Sequence, residues 1–380
     1  MESLPIDHLT ARVEPATSLG NRAVATARPR VLQIVHTRET GGVQTLADSL
    51  ATGLAARGFT VETEYLYREA GGSAVAKVAA LARMMFRLQR GGYDALIAYQ
   101  PTAAILIGLG GRVAGCPLRL VHQTTLPSEL SPLQRGLDKL AGSLGLYTLN
   151  VANTAETLDR FSRYPEPYRR SMMLIEHGVA CPCPRLGRRE TLRHFGVPDD
   201  GPILLNVGRL SAQKNQNLLI RALPALANAR LVIAGGGPRL DEYRELATSL
   251  GVDGRLHLLR DVDSNGIANL YGAADLFVFP STWESFGLAA VEAAMAGLPI
   301  VASDLAVLRE VLRQAGSQVA FAPGDDLEAW QASIQATLTR LATAQRAPLA
   351  VRKAIEARYG LDRMLDDYAR LLTRALANRE

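Results

Sequence analysis

Cysteine is scarce in this chain: there are three among 380 residues, two of them in Cys181-Pro-Cys183. Three thiols build neither a disulfide framework nor a zinc set, which points to a reducing compartment, the cytoplasm. His177 lies close by, but its spacing is wrong for zinc and a fourth ligand is missing. Long apolar runs are also lacking. No stretch approaches the ~18 consecutive apolar residues of a membrane-crossing helix. Residues 1–28 contain no apolar leader segment and read as a loose tail. The formal net charge is only +5, carried mostly by arginine, and no dense basic stripe interleaves with aromatics. That argues against a nucleic-acid reader and suits anionic small molecules or an anionic membrane face. A GxGxxG turn after the first strand is missing as well, which counts against a dehydrogenase.

What is present is an ordinary globular composition, 48% hydrophobic and 21% charged, in a chain long enough for two cores. Apolar strands alternate with amphipathic helices throughout. A strand at 31–35 opens into a loop ending in Gly41-Gly42, followed by a helix to about Arg57 and a strand at 61–67. Strands at 95–99, 118–122 and about 146–151 follow, with helices over 74–89 and 103–113 between the first of them. Asn153 and Glu156 have capping-box spacing for the next helix. A second series starts at Pro202, with strands at 203–207, 229–234, 256–259, 276–279 and 299–302, and a helix over 216–227 among those between them. A Pro-rich interval from His177 separates the two series, and a strongly periodic helix spans 361–376. The fold class is therefore α/β, with two doubly wound, Rossmann-like domains. The expected division is a disordered tail at 1–28, a first domain at 29–178 and a second at 179–360, with the helix of 361–380 packing back on the first.

The chemistry concentrates in the stretch PSTWESFGLAAVEAAMAGLPIVAS, residues 280–303. A carboxylate among alanines is costly to bury unpaired, so Glu292 either rides a solvated face or meets a ligand. Glu284 falls in the loop after a strand and Glu292 in the second turn of a helix starting near Gly287. A helix start at the C-terminal edge of a parallel sheet suits phosphate, and a carboxylate one turn on can reach vicinal hydroxyls. Gly208, Arg209 and Lys214 stand at the equivalent edge of an earlier strand, where two cations can clamp a diphosphate. Alone, a surface Arg and Lys are commonplace. Gly41-Gly42 permits a close backbone approach to phosphate or sugar, Gly235-Gly-Gly237 reads equally as a tight turn, and His122 ends an apolar strand. Asp261-Val-Asp263 matches a short acidic metal-binding pattern, but two residues carry almost no information.

In these residues the chain resembles the family 4 glycosyltransferases, retaining enzymes of the two-domain GT-B fold that use nucleotide-diphospho-sugars. Pro280-Ser281…Glu284-Ser-Phe286-Gly287-Leu288…Glu292 is similar to that family's signature of two glutamates separated by seven residues. Gly208-Arg209…Lys214-Asn215, Gly235-Gly-Gly237-Pro238, Tyr271-Gly-Ala-Ala-Asp275 and Pro323-Gly-Asp325 fall in the family's order. The first half matches through Gly41-Gly42, His122 and Asn153-Thr154. The resemblance implies two domains facing across a cleft. Arg209 and Lys214 would hold the diphosphate, Glu292 the ribose, and Glu284 with the backbone of Ser285, Phe286, Gly287 and Leu288 the sugar and phosphates. His122 would stand near the reacting sugar, and Gly41 and Gly42 near phosphate and acceptor. It further implies no metal or other cofactor, and a glycan or lipid-linked acceptor in surface polysaccharide or glycolipid synthesis. Ser285 stands where the family usually has Gly, Arg260 where it commonly has Gly, and His177 where it has Asn, while residues 304–309 lack a glycine pair.

The expected function is a hexosyltransferase-type transfer from a nucleotide-sugar, in the cytoplasm and peripheral to the inner membrane face. Arg83, Arg87 and Arg90, with Met84, Met85 and Phe86, suggest the membrane contact. No nucleic-acid partner is expected. A nucleotide-sugar epimerase of the same fold would need an acid/base pair facing the sugar, for which only Glu39 and His122 offer themselves. A non-catalytic nucleotide-binding module is the third reading.

Overall fold

The computed structural model describes residues 28–37, 42–67, 73–341 and 347–377. The tail reading for 1–28 lies outside them save for Arg28, as do Glu39 and Gly41. The chain divides into two compact units, residues 1–177 with 362–380, and residues 178–361.

Unit 1 runs β1 Arg30–Val35, α1 Gly42–Ala56, β2 Thr60–Tyr65, α2 Ala74–Gly91, β3 Ala95–Ala98 and α3 Pro101–Val113. It continues with β4 Leu118–Gln123, α4 Pro132–Ser143, β5 Leu149–Ala152, α5 Ala155–Arg160, α6 Glu166–Arg169 and β6 Met172–Leu174. All pairings are parallel, in the order β2-β1-β3-β4-β5-β6. The first crossover runs one way and the later ones the other, so right-handed connections put α1 on one face and α2, α3 and α4 on the opposite face. Strands buried on both faces read as apolar runs, as β3 does. The polar exception in β1 is Gln33, whose amide donates to Ala47 O and Thr63 Oγ1 at 2.7 Å each. Tyr99 Oη donates to its carbonyl at 2.5 Å, so the buried group is fully paired.

Unit 2 runs α7 Arg188–His194, β7 Ile203–Val207, α8 Gln216–Ala222, β8 Arg230–Ala234, α9 Leu240–Ser249 and β9 Leu256–Leu259. Then come α10 Ser264–Ala273, β10 Leu276–Phe279, α11 Leu288–Met295, β11 Ile300–Ser303, α12 Ala306–Val311, β12 Val319–Ala322, α13 Leu327–Leu341 and α14 Leu349–Tyr359. Its sheet is again parallel, ordered β12-β11-β10-β7-β8-β9. The last helix, α15 Leu361–Ala377, buries Met364, Leu365, Tyr368 and Leu372 on one stripe. A Cβ at Gly53 of α1 would lie 2.4 Å from Leu365, so glycine there lets α15 seat closely. Arg57, just after α1, fixes the register, with Nε 2.7 Å from Asp366 Oδ1.

Local differences from the sequence reading have identifiable causes. Helix α8 stops at Ala222 and tightens into a 3₁₀ turn over Leu223–Ala225, because Pro224 cannot continue the α pattern. Helix α3 starts at Pro101, where a missing N–H is no loss. The cap of α5 is Thr154, whose hydroxyl accepts from Thr157 N, and not Asn153. Asn153 is drawn inside, 2% exposed, with its carbonyl accepting from His177 N. A capping box does exist at Ser131 and Gln134 of α4. The closing strands β6 and β12 are additions to the expected pattern.

Leu372 is fully buried on the stripe that α15 offers unit 1. Leu372→Ala should destabilise that unit by about 2–5 kcal/mol. Hydrogen exchange under mild denaturant should show faster opening of β1 and α1 while β7 and β10 keep their protection.

Candidate functional site

In unit 2, β7 and β10 are hydrogen-bonded neighbours whose onward crossovers diverge, β7 toward β8 and β10 toward β11. Such a reversal of strand order opens a crevice at the carboxyl ends of the strands. The loop after β7 carries Gly208, Arg209 and Lys214, and the loop after β10 carries Glu284, so topology alone brings these two loops together.

Three contacts join them. Thr282 N donates to Gln213 O at 2.8 Å, and Gln213 Nε2 donates to Trp283 O at 3.0 Å. Lys214 Nζ reaches Glu284 Oε1 at 2.5 Å and also sits 5.0 Å from the centre of the Phe279 ring. Glu284 is only 7% exposed, so the ammonium compensates a charge that water barely reaches. Lys214 is aimed by Asn215, which adopts a left-handed conformation (φ 50°) and donates from Nδ2 to Asp325 Oδ1 at 2.8 Å. Arg209 is exposed on the same loop, its carbonyl accepting from Gln216 Nε2 at 3.0 Å.

The glycine loop after β8 supports this from behind. Leu210 N donates to Gly236 O at 2.9 Å, and a Cβ at Gly235 would stand 2.2 Å from Gly208 O. These glycines allow two backbones to touch, which is more than a tight turn demands.

Helix α11 begins at Gly287 with φ 94°, and no side chain caps it. Its first turn therefore keeps the amide-rich, partly positive end suited to an anion. Phe286 anchors the approach, buried edge-on to Tyr359 with ring centres 5.5 Å apart. One turn along, Glu292 is half-buried. Tyr271, fully buried in α10, donates to Glu292 Oε2 at 2.9 Å and to Ala289 O at 3.1 Å. Burial pushes the Glu292 carboxyl up to about 7, and the Tyr271 hydrogen bond only partly opposes it. Ser281 is also fully buried, with no hydrogen-bond partner for its hydroxyl among the described residues.

Gly42 opens α1 of unit 1, while Gly41 lies outside the described residues. His122 is near the end of β4 but only 1% exposed, its ring 6.2 Å from Tyr368 and 6.2 Å from His177. Neither ring nitrogen has a hydrogen-bond partner among the described residues, and burial pulls its pKa down to about 3. Asp263 caps α10 by accepting from Gly266 N at 2.7 Å, a structural use for that carboxylate. Among the described residues, no cluster of three or more His, Cys, Asp or Glu could hold a metal ion. Sequence reasoning did not give roles to Gln213, Asn215, Asp325 or Tyr271. Their motifs were visible, but the contacts join positions 21 to 110 residues apart.

Residues 187–348 match the family described as glycosyl transferases group 1. Over this segment, less than half of its length, the chain is similar to that family. The D-inositol 3-phosphate glycosyltransferase of Mycolicibacterium smegmatis is 38% identical over 160 residues, 40% of this chain and 37% of that protein. The chain spans less than half the length of the first curated relatives it matches, 32 to 42%. Among solved structures, sucrose-phosphate synthase from Thermosynechococcus elongatus aligns over 92% of this chain and 100% of its own. It does so with a TM-score of 0.76 and 18% identity. Anabaena HepE, solved in complex with UDP-glucose, aligns over 91% of this chain and 99% of its own, with a TM-score of 0.75 and 19% identity. These likenesses show the fold, the GT-B fold.

The raised Glu292 pKa has a signed consequence. In the unfolded chain the group titrates near 4.5, so the folded state binds the extra proton between about 4.5 and 7. The ionised carboxylate therefore lowers stability progressively across that window and fully above it. Glu292→Gln should match wild type near pH 4 and exceed it above pH 7 by about 3 kcal/mol, at about 1.36 kcal/mol per unit over a shift from 4.5 to about 7. Urea unfolding across that pH range measures the difference; a constant offset at every pH would show that the carboxyl is not held protonated.

Proposed function

We propose that the protein is a retaining glycosyltransferase that moves a hexose from a nucleotide-diphospho-sugar to a glycan or lipid-linked acceptor. It would serve surface polysaccharide or glycolipid synthesis and need no metal ion. One observation carries this reading: the Lys214–Glu284 pair beside the uncapped start of α11, at the strand-order reversal of unit 2. The family match over the same segment and the UDP-glucose complex of the HepE neighbour support it.

In this reading the diphosphate seats on the amides of Gly287 and Leu288, with Ser285 and Phe286 before them, and draws Arg209 and Lys214 onto its oxygens. As the sugar–phosphate bond breaks, the two cations stabilise the developing charge on the leaving diphosphate. Lys214 is then shared, so Glu284 is released from it to meet hydroxyls of the transferred sugar. Glu292 takes the ribose hydroxyls, with Tyr271 fixing its second oxygen. His122, held neutral, supplies a hydrogen bond and not a charge, and Gly41 and Gly42 let the chain approach phosphate and acceptor. A neutral His122 is a poor half of the acid/base pair an epimerase requires. A lipid-linked acceptor brings with it a peripheral contact between unit 1 and an anionic membrane on the cytoplasmic side.

Calorimetric titration with bare UDP, GDP and ADP tests the assignment, because these carry the ribose without the sugar. Glu292→Gln should weaken the preferred nucleotide about ten-fold, since a ribose contact is common to ground and transition states. Glu284→Gln should leave that Kd unchanged or tighten it, because Lys214 is freed for phosphate, while kcat falls. The reverse pattern would overturn the two roles. Activity should also survive EDTA; a strict requirement for Mg²⁺ or Mn²⁺ would overturn the metal-free mechanism.

A further inference from the structure

Large apolar side chains are spread unevenly over the surface. Among the described residues eleven are exposed, and nine of them fall on α2, α3 and α4 or the residue that ends α4. Those three helices pack side by side in order on one face of the unit 1 sheet. Scattered apolar residues are normal on any surface, but nine on one face are not scatter.

The strongest element is α4. Leu133, Leu137, Leu140 and Leu144 are 72%, 44%, 56% and 63% exposed, spaced so that they form a single stripe along the helix. Helix α3 adds Leu109 and Val113, 50% and 71% exposed, one turn apart. On α2 it is Val75, Val78 and Phe86 that stand out, at 79%, 65% and 53%. Helix α2 is 18 residues long and buries only Met84 and Leu88, so most of its circumference is bare.

The charges that these three helices present to solvent are cationic. Helices α2 and α3 contain no acidic residue, and Asp138, the one on α4, is 3% exposed and accepts from Tyr168 Oη at 2.9 Å. Lys77, Arg83, Arg90 and Arg112 are exposed among the apolar groups. Arg87 is already engaged by Glu62 and Glu64 of β2, and Glu129 lies ahead of α4. A surface that joins protruding apolar side chains to cations, with carboxylates only at its margins in Glu62, Glu64 and Glu129, complements an anionic lipid headgroup layer. Two copies of it face to face would set cation against cation, which argues against a second chain as occupant.

We propose that the α2–α3–α4 face of unit 1 is a membrane-contact surface. The α4 leucines and Phe86 dip to the headgroup boundary, and Lys77, Arg83, Arg90 and Arg112 hold the anionic headgroups. This deepens the membrane part of the reading above and rests on it, but on none of the donor-site chemistry. The contact needs no helix to cross a bilayer, and among the described residues none is long and apolar enough to do so.

Flotation of the purified full chain with phosphatidylcholine vesicles, with and without about 30% phosphatidylglycerol, tests it. Wild type should float with the anionic vesicles and stay behind with the neutral ones. Leu137→Gln/Leu140→Gln, at exposed positions, should lower binding about ten-fold with an unchanged melting profile, and Lys77→Gln/Arg112→Gln should lower it most at low salt, the difference from wild type shrinking as salt rises. No flotation with either vesicle, or equal flotation with both, overturns the proposal. So does a wild-type dimer in light scattering that the leucine variant dissolves, which would make the occupant a second copy. Nucleotide titration of the same samples keeps the donor-site reading separate, since a lost membrane contact leaves it unmoved.

Discussion

A buried carboxylate that keeps its charge needs a cation, and in unit 2 Glu284 has Lys214. Much of the surrounding architecture reads as the means of placing that ammonium. The left-handed turn at Asn215 aims it, Asp325 holds the turn, and the backbone bonds between Gln213 and residues 282–283 keep the loops from parting. Behind them the glycines after β8 allow a third loop to approach at backbone distance. Because β7 and β10 are adjacent while their crossovers diverge, the pair stands at the strand-order reversal of the sheet.

Two glutamates in one site are held in opposite conditions. Glu284 has a cation in direct contact, whereas Glu292 has a phenol and a low-polarity surrounding that favours its protonated form. Different neighbours can give one residue type two duties. Here Glu292 is kept at a cost to the free protein, which fits a group retained for a ligand and not for the fold.

The alternation of strands and helices was legible because most strands are apolar runs and most helices have clear start and stop residues. Gly287, Gly297 and Pro299 frame α11, and Glu284 and Glu292 were correctly placed in loop and helix. The closing strands were harder. Met172–Leu174 is three residues long and Val319–Ala322 follows a polar 3₁₀ turn, so neither makes an apolar run that stands out. Asn153 misled for a different reason: its spacing suits a cap, but burial took it inward and gave the cap to Thr154. The partners of the site residues, Tyr271 for Glu292 and Asp325 for Asn215, depend on which strands become neighbours, which no local pattern encodes. The leucine stripe of α4 was equally hidden, because periodicity marks an apolar face without saying whether anything covers it.

The position of α15 sets an order of events in synthesis. Residues 362–377 belong to unit 1, yet they are made after the whole of unit 2. Unit 2 is continuous in sequence and can complete while the chain is still growing, whereas the first six strands wait with Gly53 of α1 and His122 of β4 uncovered. The first domain to emerge from the ribosome is thus the second to be finished, and its closure reports that the second domain has already been made.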